Sequence, residues 1–160
     1  MTPLQSRNAA YALALIVPAA LMGGALISQY GFGLFPCQMC WWQRYPHIAA
    51  IVFALLAFTM KGRGAGDMAV IFAAICIGAS GLIGGFHAGV EYGWWEGVTS
   101  CATVAGGGNP LDAIMNAPVI RCDVAPWTLF GISLAGFNFL ISLGGAAMIF
   151  ALLGKGRQGA

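Results

Sequence analysis

Apolar residues fill four long stretches of this chain almost without interruption, and the polar positions gather between them. The stretches run from about Ala9 to Ile27, Tyr45 to Met60, Met68 to Phe86 and Trp127 to Leu153, and the register of the second reaches back to Trp41. A hydrocarbon core about 30 Å thick needs about 20 apolar residues at a helical rise of 1.5 Å per residue. Each stretch meets that length or nearly so. Lipid cannot satisfy open backbone groups, and a membrane barrel would need alternating strands of about ten residues, which are absent. The pattern predicts an all-α integral membrane protein, a four-helix bundle forming one domain over residues 1–160. Pro18 and the abundant glycines suit such a bundle, where small residues let backbones approach.

Composition closes off the other classes. Apolar residues make up 59% of the 160 positions and charged residues 8%, and the mean hydropathy is +0.82. A soluble domain carries about a quarter charged residues, and one this small leaves too much surface exposed to hide the excess. The same hydrophobicity excludes a disordered chain. Seven basic residues against five acidic ones form no basic face for nucleic acid.

The few charges orient the bundle. Arg7 precedes the first stretch, Lys61 and Arg63 separate the second from the third, and Lys155 and Arg157 follow the fourth. With four spans these share one side, which the positive-inside rule assigns to the cytoplasm together with both termini. The opposite side holds Arg44 and Arg121 against Glu91, Glu96, Asp112 and Asp123. Trp41, Trp42, Trp94, Trp95 and Trp127 fall at the predicted outer boundaries, as an interfacial aromatic belt would. Residues 1–28 read better as a span than as a cleaved signal peptide, since the apolar run is long, carries Pro18 and lacks a small-residue cleavage site.

The outer loops cover about 30–40 and about 88–126. In the second, residues 105–110 are glycine-rich, and Leu111, Ile114 and Met115 fall at helical spacing, which suggests a short interfacial turn or an irregular coil. The glycines lack the lysine and context of a phosphate-binding loop.

Four of the five cysteines lie in these loops, Cys37 and Cys40 in the first and Cys101 and Cys122 in the second. In an oxidising compartment they would form disulfides, and the three possible pairings stay open at this point. Cys76, inside an apolar stretch, is expected to pack as a small hydrophobe. The Cys37-Gln-Met-Cys40 spacing is the informative one, because a C-x-x-C pair closes a small ring and its thiols can ionise readily. Cys40 should stand at the start of the second helix, where backbone amides favour an anion. Arg44 follows one turn deeper, and a cation in a span is a candidate functional residue. Zinc would want four close Cys or His ligands, and zinc-type spacings are missing from the second loop, so no metal site is expected.

Pro36-Cys-Gln-Met-Cys40-Trp-Trp-Gln-Arg44 entering the second span, with a cysteine pair in the long loop, resembles the DsbB family from the first span to the fourth. These are bacterial inner-membrane enzymes that reoxidise a periplasmic thioredoxin-like thiol oxidase of the DsbA type and pass the electrons to membrane quinone. The resemblance implies that Cys37 and Cys40 are the quinone-proximal pair and that Cys101 and Cys122 meet the thiol oxidase. It implies also that Arg44 contacts the quinone head, ubiquinone or menaquinone. The partner would attack Cys101, freed Cys122 would resolve directly or attack Cys37, and Cys40 would leave as a thiolate beside Arg44.

Quinone reduction takes up two protons. His87 and Glu91, one turn apart near the outer end of the third stretch, are candidates for binding the quinone carbonyl and handing in protons. The bland alternative is an interfacial histidine and a solvated loop acid, and His47 is a further, weaker candidate. Rival readings are structural disulfides alone, a vitamin K epoxide reductase-like enzyme and a haem protein using His47 and His87. In the second of these the C-x-x-C follows the loop pair, the reverse of the order here.

Overall fold

A computed structural model describes residues 1–99, 102–103 and 119–157. Four long helices are present: α1 (Pro3–Phe32), α2 (Gln38–Thr59), α3 (Gly64–Glu91) and α4 (Leu134–Arg157). Contacts run from α1 to α2, α3, α4 and back to α1, so the helices close a ring. Between α3 and α4, β1 (Ala102–Thr103) pairs antiparallel with β2 (Val119–Ile120), and β3 (Thr128–Leu129) with β4 (Ile132–Ser133).

The helices α1, α3 and α4 are each long and apolar enough to cross a bilayer. At 22 residues α2 is long enough too, about 33 Å, but it buries Gln43, Arg44 and His47 on its inner face. Large apolar side chains such as Ile16, Leu55, Leu82 and Met148 point outward, while the core is built from alanines, including Ala14, Ala54, Ala73 and Ala146. A water-soluble bundle would do the reverse. Lipid is as apolar as leucine, so association rests on close packing of small residues. This is a membrane protein.

Residue chemistry explains the helix ends. Thr2 Oγ1 accepts from the Gln5 amide at 3.2 Å while Gln5 Oε1 accepts from the Thr2 amide at 2.8 Å, a reciprocal cap that starts α1 six residues before the apolar run. Gly33, with φ of 67°, closes α1 in the left-handed conformation. Arg7 is thereby drawn into α1, where it meets Asp67 of α3 at 2.9 Å, and Tyr11 donates to the same carboxylate at 2.8 Å.

The fourth span departs from expectation. Its helix begins at Leu134, not near Trp127, because Thr128–Ser133 forms a tight hairpin. Phe130 and Gly131 turn it with φ of 51° and 77°, and an unbroken apolar run does not distinguish such a hairpin from helix. Tyr92, just after α3, pins the hairpin by donating to Gly131 O and accepting from the Ser133 amide, each at 3.0 Å. All five tryptophans are exposed at this end of the bundle, as the belt requires. The predicted turn around Leu111–Met115 lies outside the described residues.

Helix α3 meets α4 closely at Gly81 and Gly84. A methyl on Gly84 would stand 2.9 Å from Asn138 Nδ2 and 3.0 Å from Ala135 O, backbone that cannot swing away. Gly84→Ala is expected to cost about 1–3 kcal/mol, read as a lower unfolding temperature in detergent, whereas alanine at Gly144, which meets open space, should leave it unchanged.

Candidate functional site

Cys37 is the N-cap of α2, and its sulfur accepts the Cys40 amide at 3.2 Å. The three-residue spacing therefore puts both thiols on the first turn, where the free amides of the helix end lie. Their sulfurs stand 2.8 Å apart. The hydrogen bond with Cys40, followed by burial, pushes the Cys37 thiol up to about 12. The Cys37 thiol therefore holds its proton more firmly than a free thiol does.

Cys37, Cys40 and His87 offer three donors within 4.8 Å of one another. Two thiolates on one tetrahedral zinc would stand about 3.8 Å apart, given Zn–S bonds of about 2.3 Å. The sulfurs here stand closer than that.

Beside this pair, α1, α2, α3 and α4 enclose a cleft of about 220 Å³. Leu21, Met22 and Ala25 of α1 and Phe137 of α4 supply apolar wall, while Cys40, Arg44, His47, His87 and Glu91 supply polar atoms. Among the described residues Cys40, rather than Cys37, is the sulfur that borders it. Arg44 is only 7% exposed. It donates through Nη1 to Gln29 Oε1 at 2.6 Å and through Nη2 to Ala25 O at 3.3 Å, and lies 5.0 Å from the Trp41 ring centre. The bonds to α1 hold the cation at the cleft and not directly on Cys40.

Beneath the thiols runs a chain of buried polar contacts. His87 Nε2 lies 3.5 Å from Cys37 Sγ and 3.7 Å from Glu91 Oε1, and its Nδ1 is 2.8 Å from Gln43 Nε2. Asn138 Nδ2 donates to Gln43 Oε1 at 2.8 Å and to Ser80 O at 3.1 Å. His47 Nε2 is 2.9 Å from Asn138 Oδ1. Two buried atoms lack a hydrogen-bond partner among the described residues at this site, His47 Nδ1 and Glu91 Oε2.

The second loop reaches this centre through Cys122. Its buried thiol joins Cys37, Met39 and Val90 in one cluster and accepts from Thr99 Oγ1 at 3.2 Å. Burial raises the Cys122 thiol. Nearby Arg121 clamps exposed Asp123 through two bonds of 2.9 and 2.6 Å, which lowers that carboxyl to about 2. Cys101 lies outside the described residues.

A family model described as "Disulfide bond formation protein DsbB" matches residues 7–152. The chain belongs to that family. Among similar proteins is a "Disulfide bond formation protein B" of Acidovorax sp. (strain JS42), 28% identical over 162 aligned positions that cover 92% of this chain and 89% of the relative. Another of the same name, from Verminephrobacter eiseniae (strain EF01-2), is 30% identical, covering 93% and 87%. No solved structure matches. As a DsbB-family member the chain is a disulfide-forming membrane oxidoreductase.

In this DsbB-family bundle, Cys40, Arg44 and His87 converge on one cleft, Cys37 lies behind it against Cys40 and His87, and Cys122 packs against Cys37. Glu91 is not a solvated loop acid, since it ends α3 with its side chain 2% exposed. His47 also borders the cleft. Sequence reasoning passed over Gln43 and Asn138. The available signal was an amide inside an apolar run, which lipid tolerates only when it is paired.

Proposed function

We propose that this protein takes electrons from a periplasmic DsbA-like dithiol protein and passes them to membrane quinone, working from the bacterial inner membrane. The observation that carries this reading is the cleft itself: the Cys40 sulfur, a buried arginine and an apolar wall share one cavity among the four helices. A quinone suits these residues. Its ring and tail match the faces of α1 and α4, and a carbonyl oxygen matches the donors of Arg44, while His87 lines the same cleft. When bound it accepts two electrons and two protons, which is what a dithiol releases on closing to a disulfide.

The protein's own groups carry the exchange. A thiolate of the reduced partner attacks Cys101 of a Cys101–Cys122 disulfide, and Cys122 leaves. The Cys122 thiol already packs in the Cys37 cluster, so its sulfur can form a bond to Cys37 while the Cys37–Cys40 bond breaks. Cys40, the sulfur not attacked, departs as the thiolate on the first turn of α2, where the free backbone amides favour an anion. The partner's second thiol then completes its own disulfide and releases Cys101, whose thiolate attacks Cys122, re-forming the Cys101–Cys122 bond and freeing Cys37, so that Cys37 and Cys40 together hold the two electrons. Arg44 faces the cleft into which Cys40 delivers its electrons.

Glu91 gives the protons a route. It borders the cleft, and it also borders an outer depression with Trp94, Glu96 and Asp123. Glu91→Gln is expected to slow quinone reduction by about a hundredfold, as loss of a positioned proton carrier does. Exchange between the partner dithiol and the second cysteine pair, followed by thiol alkylation without quinone, should be unchanged. Equal slowing of both steps would remove Glu91 from proton transfer.

The deciding experiment mixes purified protein in detergent with a reduced thioredoxin-like dithiol protein and ubiquinone or menaquinone, following quinone absorbance. Stoichiometric loss of quinone and of partner thiols is expected. Absence of both would overturn the proposal.

A further inference from the structure

His87 presents Nε2 to Cys37 Sγ and Nδ1 to Gln43. In a neutral ring one nitrogen carries the proton, and which one decides whether Cys37 meets an N–H or a lone pair. Two carboxamides settle the matter. One terminal atom of Asn138 lies 3.1 Å from Ser80 O, and a backbone carbonyl only accepts, so that atom is Nδ2. The same Nδ2 lies 2.8 Å from the Gln43 amide, and the atom it meets is therefore the acceptor Oε1. The other end of Gln43 lies 3.2 Å from Met39 O, again an acceptor, which independently makes it Nε2. Both ends agree. Gln43 consequently donates to His87 Nδ1 at 2.8 Å, and Nδ1 must hold a lone pair.

We propose that Gln43 and Asn138 are positioning residues that hold neutral His87 as its Nε2–H tautomer, so that an N–H faces the Cys37 sulfur. The inference rests on the proposed relay for its consequence: when the Cys37–Cys122 bond forms and breaks, charge on the Cys37 sulfur meets a donor already aimed at it. Glu91 Oε1, 3.7 Å from the same nitrogen, lies on the same side of the ring. The clamp joins three helices, since Gln43 is on α2, Ser80 and His87 on α3 and Asn138 on α4. Asn138 Oδ1 also accepts from Ser142 Oγ at 2.8 Å, and the same oxygen assigns the proton of His47 to Nε2.

The chain contains two histidines, which makes the test direct. Full-length protein labelled with ¹⁵N-histidine in detergent, at a pH where the rings are neutral, should show both with protonated Nε2 and unprotonated Nδ1. Gln43→Glu keeps an oxygen for Asn138 but presents a carboxylate to Nδ1. It should move His87 alone to the Nδ1–H form, leaving His47 as internal control. Gln43→Met, which offers no donor, should give His87 a mixture of tautomers. Quinone-coupled turnover of Gln43→Glu should fall about tenfold, the effect of one hydrogen bond to a charged sulfur, with the KM for the partner dithiol unchanged. A protonated Nδ1 on wild-type His87, or an unmoved tautomer in folded Gln43→Glu, would overturn the proposal. If the variant fails to fold, the wild-type spectrum decides alone. Lack of quinone turnover in wild-type protein would instead overturn the relay, since the tautomer is read without turnover.

Discussion

Replacing Cys40 by serine is expected to lower quinone-coupled disulfide formation by about a thousandfold or more, the scale of losing a reacting nucleophile. Of the two sulfurs on the first turn of α2, Cys40 is the one that borders the cleft. A serine hydroxyl at that place can neither form the disulfide with Cys37 nor leave as an anion at neutral pH. The variant makes a second, positive statement. Cys37 keeps its place in the cluster with Cys122, so a Cys37–Cys122 disulfide should accumulate. Non-reducing electrophoresis after cleavage between Glu96 and Cys101, which leaves Cys101 and Cys122 in one fragment and Cys37 in the other, would show the two halves joined. Turnover close to wild type in Cys40→Ser would remove the C-x-x-C pair from the electron path.

The second large effect falls on Arg44. Arg44→Ala is expected to raise the KM for quinone by about 10- to 100-fold, the worth of a hydrogen bond from a buried cation. The KM for the dithiol partner should change less than about twofold. The guanidinium is held by Gln29 and the Ala25 carbonyl and lies over Trp41, so the side chain is already placed before any acceptor arrives. Arg44→Lys should lie between the two, because an ammonium keeps the charge but not the planar fork that reaches Gln29 and Ala25 together. Steady-state kinetics with each substrate varied in turn checks the split. Equal rises in both KM values would place Arg44 outside the acceptor site.

These expectations grow from features that differ in how far the sequence reveals them. Cys37, Cys40 and Arg44 lie within eight residues, and helical spacing alone puts them on the first two turns of one element. The route of the arginine was less visible. Its partners Gln29 and Ala25 belong to α1, so the cation braces one helix against another instead of sitting on the neighbouring sulfur. Helix ends depart from the apolar runs where a local motif extends or interrupts them, as Thr2 and Gln5 do before α1 and Phe130 and Gly131 do before α4.

Hydropathy, charge distribution and short spacings are local properties, and from them follow the membrane class, the four helices, the tryptophan boundary and the dithiol at the start of α2. The position of each helix around its own axis is not local. It depends on close approaches such as Gly84 against Ala135 and Asn138, and it decides which side chains meet across the bundle. That rotation brings Gln43 to His87, Asn138 to Gln43 and Cys122 to Cys37, over separations of 44, 95 and about 85 residues. It also turns Glu91 inward, to a place shared by the cleft and the outer depression. Patterning tells which residues belong in lipid; packing of the small residues tells which of the few polar ones face one another.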